Sequence, residues 1–134
     1  MVDASIFTLS YLGDAWYELW CRQMVLSLTK KPDAVHRKVT HIVCCQAQAL
    51  LAAAIYPSLN SEEQKVFQRG KNRKDLSCPK NATMKDYRAA TGFECLIGYW
   101  YLTENTNRFS SLMQKETVQE LLNQKLFFQK GLTS

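Results

Sequence analysis

No stretch of this chain alternates apolar and polar residues for more than five positions, so nothing announces a β-strand. No internal repeat or low-complexity linker divides its 134 residues, which points to one all-α domain spanning 1–134 and burying about two-thirds of its unfolded surface. No apolar run approaches the roughly 20 residues of a membrane span, and Met1-Val2-Asp3 opens no signal peptide. The expectation is a cytoplasmic protein without membrane contact, or an organellar one if a targeting extension has been removed. Cysteine pairs of the CxxC kind are missing too. The five cysteines are an odd number, and Cys21, Cys44 and Cys95 fall within apolar helical patterns, so they read as small hydrophobes in a reducing compartment. His36 and His41 have neither a paired thiolate nor ligand spacing, which argues against zinc.

The scarcest thing is charge inside two apolar helical runs. Between Asp3 and Arg22 the only charged residues are Asp14 and Glu18, and their i,i+4 spacing places both on one helical face. Leu9, Leu12, Trp16 and Leu19 form the expected core-facing stripe. Glu94 is the only charge between Arg88 and Glu104. An unpaired buried carboxylate is costly, so such acids are paired, protonated or bound to a cation. Gly13 beside Asp14 and Gly98 four residues after Glu94 suit a place where two helices cross closely. Asp14 and Glu94 on crossing helices would supply the one or two carboxylates by which Mg²⁺ is typically held. The plainer reading of Asp14 is a buried acid that hydrogen-bonds a tyrosine such as Tyr11 or ties two helices together.

These residues carry a resemblance. Leu12-Gly13-Asp14-Ala15 resembles the LGD core of the ribonuclease III signature helix, and Glu94-Cys95-Leu96-Ile97-Gly98 resembles the family's EALIG helix. Arg69-Gly70-Lys71-Asn72, Pro79-Lys80-Asn81-Ala82 and Tyr87-Arg88-Ala89-Ala90-Thr91-Gly92-Phe93-Glu94 resemble blocks of its Mini-III branch, which lacks the double-stranded-RNA-binding domain. The resemblance implies a helical, homodimeric endoribonuclease that cleaves double-stranded RNA, with Asp14 and Glu94 as catalytic, metal-binding acids for Mg²⁺, or Mn²⁺ in its place. It further implies precursor ribosomal RNA, especially of the large subunit (23S), as substrate, with a ribosomal protein as a possible assistant. In this family the LGD helix packs on its symmetry mate, which makes Tyr17 and Trp20 the interface candidates.

The match is incomplete. The family usually carries an acid four residues before the motif aspartate and another three before the motif glutamate, where this chain has Ser10 and Thr91. Mini-III enzymes generally lack the first. Glu18 is the spare acid, read either as an outer ligand or dimer contact, or as a surface partner of Arg22. The loss of acids keeps open an alternative, a non-catalytic RNA-binding module associated with ribosomes. A helical protein-interaction domain would explain neither the acids nor the basic residues described next.

The net charge of +5 is unevenly placed, because residues 65–88 carry eight basic and two acidic side chains while the remainder is nearly balanced. Such a run is either a solvated surface or a grip on phosphates. Its position just before the Glu94 helix favours the second, with Arg69, Lys71, Asn72, Arg73, Lys74, Lys80 and Asn81 as RNA-binding residues in an exposed loop over 70–82. Recognition would be of backbone and A-form shape.

Patterning predicts a first helix over 4–28 capped by Asp3, and a second over 34–55 capped by Asp33 and stopped by Pro57. A third would start at a Ser61 and Gln64 capping box and run to about residue 68. A long helix from Thr83 to Leu102 would bury Phe93, Leu96, Ile97, Trp100 and Tyr101. Two last helices would be capped by Asn107 and Thr117, the final one reaching Lys130.

Overall fold

The computed structural model describes residues 4–74 and 77–127, and among these the ordered elements are helices without a strand. Helix α1 (Ile6–Leu26) starts at Ser5, whose Oγ accepts the Thr8 N–H at 3.0 Å. The expected cap, Asp3, lies outside the described residues. The buried line of α1 is Leu9, Gly13, Tyr17, Cys21 and Val25, a four-residue repeat, rather than Leu9, Leu12, Trp16 and Leu19. Leu19 is 55 % exposed. The buried line passes through Gly13 because only there can the neighbouring backbone come close.

The expected second helix is two. Helix α2 (Pro32–Val43) carries Pro32 at its first position with Lys31 as N-cap, so Asp33 sits in the first turn rather than at the cap. Cys44 is extended (φ −66°, ψ 159°) and separates α2 from α3 (Cys45–Ile55), with a bend of 53° between the two segments. The break frees the Val43 carbonyl, which accepts from Gln48 Nε2 at 2.8 Å. A 3₁₀ turn over Tyr56–Ser58 follows.

Helix α4 (Ser61–Lys71) does begin with a capping box, but one residue earlier than expected: Asn60 and Glu63 exchange the two bonds. Glu63 also accepts from Trp100 Nε1 and from Arg108 Nε, each at 2.9 Å, which satisfies an acid that is buried to 3 % exposure. Helix α5 (Met84–Leu102) is capped by Thr83 as expected, and Ala90 to Gly98 are buried apart from Glu94. Phe93, Leu96, Ile97 and Trp100 are in the core, whereas Tyr101 falls on the outer face. Helix α6 (Thr106–Met113) follows Asn105 instead of Asn107. Helix α7 (Glu116–Phe127) ends the described residues, and Lys130 lies beyond them.

The core is built around α5, with α1, α3 and α4 packed against it. Phe109 from α6 plugs one end, its ring edge-on to Trp16 and Trp20 at 5.1 Å each. Tyr17 is buried, and its hydroxyl donates to the Ile42 carbonyl at 2.6 Å. It therefore offers no surface to a second subunit, which corrects the interface expectation. Trp20, packed on Phe109 and stacked on Tyr17 at 6.1 Å, is turned mostly inward. The exposed face of α1 instead carries Phe7, Tyr11 and Leu19.

Candidate active site

The site begins with two glycines. A Cβ on Gly13 would lie 1.8 Å from the Glu94 carbonyl oxygen and 2.9 Å from the Gly98 nitrogen. One on Gly98 would lie 2.0 Å from the Leu9 carbonyl oxygen. Helices α1 and α5 thus cross backbone to backbone, and the turn bearing Asp14 lies against the turn bearing Glu94. The sequence pattern of a lone acid beside a small residue, twice over, corresponds to this one crossing.

Glu94 is partly buried and its carboxyl is pushed up to about 8, first by burial and then by the charge of Asp14. Hydrogen bonding to Asp14 adds to the rise, and the bond from Gln48 opposes it. Gln48 Nε2 reaches Glu94 Oε2 at 3.3 Å. The neighbour of Asp14 in this arrangement is thus Glu94. Tyr11 stacks on Phe7 at 5.2 Å and is 67 % exposed.

Two adjacent carboxyls, one held away from its charged form by burial and by the other, are a donor set suited to a hard divalent cation. Beside them the Gln48 Oε1 is buried and has no hydrogen-bond partner. Among the described residues no group of three or more His, Cys, Asp or Glu side chains gathers as a metal site. A divalent cation held here would take two acids from the protein and the rest of its ligands from water and substrate oxygens. Where the family has a further acid this chain has hydroxyls that donate to backbone: Thr91 Oγ1 to the Tyr87 carbonyl at 2.9 Å, and Ser10 Oγ to that of Phe7 at 3.2 Å. Glu18 pairs with Arg22 at 3.1 Å on the helix surface.

The basic segment is fastened next to this centre. Gly70 and Gly92 let α4 approach α5 closely, since a Cβ on Gly70 would lie 3.0 Å from the Gly92 Cα and one on Gly92 would lie 2.7 Å from the Phe67 carbonyl oxygen. The approach is two residues before Glu94. Arg88 Nη1 donates to the carbonyls of Arg73 at 2.9 Å and Lys71 at 3.2 Å, so this arginine holds the loop's backbone. Arg69 and Arg73 act electrostatically on Cys95, although burial dominates there and pushes the thiol up to about 12. Lys74, Lys80, Asn72 and Asn81 are exposed, and Lys71 is partly so. Asn81 lines a groove between the start of α3 and the start of α5, together with Cys45 and Thr83. On the far side, Lys38 reaches the Leu126 carbonyl at 2.5 Å and lies over the Phe127 ring, which commits it to packing α2 on α7.

Sequence reasoning missed Gln48. It reads as one more polar residue in an alanine- and leucine-rich helix, and only the break at Cys44 turns its amide toward Glu94.

Comparison with known proteins places the chain in a family. The Ribonuclease III domain family matches residues 8–105. The Mini-ribonuclease 3 of Enterococcus faecalis is 42 % identical over 118 residues, covering 86 % of this chain and 83 % of that protein. The Mini-ribonuclease 3 of Clostridium tetani is 42 % identical over 108 residues, covering 79 % and 72 %. A crystal structure of a Fusobacterium nucleatum protein superposes with a TM-score of 0.76 at 29 % identity, covering 83 % of this chain and 89 % of that one.

Proposed function

The chain belongs to the ribonuclease III family, in its Mini-ribonuclease 3 branch, and is thus an endoribonuclease; from that premise we propose that it cleaves double-stranded RNA with a divalent metal, Mg²⁺ or Mn²⁺, held by Asp14 and Glu94. The observation that carries the reading is the pairing of these two carboxyls at the Gly13 and Gly98 crossing.

Bound there, the ion would activate water and stabilise the leaving oxygen of the phosphodiester. The chain's own part is to hold two acids in a fixed relation on rigid helices. Their mutual repulsion favours a cation between them, and the glycine crossing prevents them from separating. With only two acids, affinity for the ion gains from an RNA phosphate oxygen, which couples metal uptake to substrate binding. Arg69, Lys71, Arg73, Lys74 and Lys80 line the approach and neutralise backbone charge, while Asn72 and Asn81 add hydrogen bonds.

A second copy of the chain gives two such centres, one for each strand of the duplex. The apolar side chains Phe7, Tyr11 and Leu19 on the outer face of α1 suit a two-fold contact. The proposed substrate is precursor ribosomal RNA of the large subunit (23S), with the cytoplasm as the compartment and a ribosomal protein as a possible assistant. Incubating the purified protein with a long RNA duplex in Mg²⁺ or in EDTA tests the reading. Discrete shortening in Mg²⁺ alone is expected, and intact duplex in both conditions would leave only RNA binding.

A further inference from the structure

Gln48 sits one turn into α3 and is 3 % exposed. Both hydrogens of its amide are in use. One goes to the Val43 carbonyl at 2.8 Å, the other to Glu94 Oε2 at 3.3 Å. The orientation of the amide follows from these partners, since rotating it by half a turn would set Oε1 against two acceptors at once. Its oxygen is consequently fixed as well, and that oxygen is buried without a donor.

A buried acceptor left unpaired calls for an explanation, and a donor that arrives with a ligand is one. The ligand chemistry beside it is that of the two acids. Hydrated divalent cations carry O–H donors, and Mg²⁺ in particular keeps several of its waters when only one or two carboxylates bind it. Glutamate has three rotatable side-chain bonds, so a partly buried Glu94 needs a fixed partner if its carboxylate is to face Asp14 before the ion arrives. Gln48 is itself pinned to backbone at the point where α2 ends.

We propose that Gln48 is a positioning residue for the metal centre: its Nε2 fixes the Glu94 carboxylate toward Asp14, and its Oε1 accepts a hydrogen bond from the hydration shell of the divalent ion. This rests on the reading that Asp14 and Glu94 hold that ion. Gln48 thereby makes up in part for the acids missing at Ser10 and Thr91, by ordering the shell that those acids would otherwise enter.

The test uses the full chain and Mn²⁺ alone, with free ion followed by its paramagnetic resonance signal, beside the Mg²⁺ dependence of single-turnover duplex cleavage. Gln48→Leu removes both polar contacts at similar volume. It should raise the half-saturating concentration of both ions on the order of tenfold, while duplex binding without metal stays at the wild-type level. Gln48→Glu keeps an oxygen where Oε1 stands but sets a second one against the Val43 carbonyl and Glu94 in place of the amide donor, so it should not restore the wild-type half-saturating concentration. If Gln48 only ties α2 to α3, both variants lower the melting temperature and leave the half-saturating concentrations unchanged, and the proposal is wrong. Should Gln48→Leu not fold, Gln48→Met makes the same comparison. Asp14→Asn and Glu94→Gln separate the two readings. Mn²⁺ uptake that survives in them, or is absent from the wild type, overturns the metal centre itself, whereas uptake abolished in them but untouched by Gln48→Leu overturns only the role of Gln48.

Discussion

Gly13 and Glu94 meet backbone to backbone across two helices: a methyl group on the glycine would stand 1.8 Å from the carbonyl oxygen of the glutamate. That approach sets the spacing of the site, because Asp14 follows the first residue directly and the second is its partner acid.

Gly13→Ala should for this reason be among the most damaging small substitutions in the chain. Backbone cannot yield as a side-chain end can, so the helices must part, and overpacking of this kind costs at least about 1–3 kcal/mol. We expect a clear drop in urea midpoint together with a fall in cleavage, and the same for Gly98→Ala. Alanine at Gly13 with wild-type stability and turnover would mean that the crossing has room for a side chain after all.

The acid pair gives the metal-free protein a distinctive pH response. An unfolded glutamate titrates near about 4.3, whereas the Glu94 carboxyl is pushed up to about 8. In that window the folded state binds more protons than the unfolded one. Its contribution to stability is thus full at low pH and is lost as pH rises through about 8. Melting temperatures in EDTA should decline across this range, and Glu94→Gln should flatten the decline. An equal slope in the variant would assign the effect to other groups.

Much of this centre is legible in the sequence. Asp14, Glu94, Gly13 and Gly98 stand out because charge and glycine are both expensive inside apolar helices, and that cost does not depend on knowing the fold. What escapes is decided by tertiary packing. The core line of α1 follows Gly13 rather than the bulkiest side chains, which is why Tyr17 is buried. The break at Cys44 leaves no trace in propensity, since Cys45 to Ile55 continues as helix. With it goes Gln48. Arg88 reads as one more positive charge of the basic segment, yet it spends its guanidinium on the carbonyls of Lys71 and Arg73.

The basic loop should act through phosphates. Lys74 and Lys80 are exposed, so changing both to alanine removes charge with little effect on melting. Duplex affinity should weaken for every sequence alike, and the slope of log affinity against log salt should flatten by somewhat less than one unit for each phosphate no longer neutralised. Unchanged affinity with an unchanged slope would mark the run as a solvated surface.

Dimerisation should depend on the outer face of α1. Tyr11→Glu with Leu19→Glu places charge in the middle of an apolar strip. Light scattering should give twice 15.4 kDa for the wild type and 15.4 kDa for the variant. A wild-type monomer under cleaving conditions would reject the two-centre arrangement.

The central claim is that Asp14 and Glu94 together perform the metal-dependent cleavage, and single-turnover cleavage of a long RNA duplex by Asp14→Asn and by Glu94→Gln measures it most directly. Each change keeps the size of the side chain and removes one charge. Cleavage in Mg²⁺ should fall by roughly two or more orders of magnitude in either variant, with helical content and duplex binding retained. Turnover at the wild-type rate in either one would contradict the account.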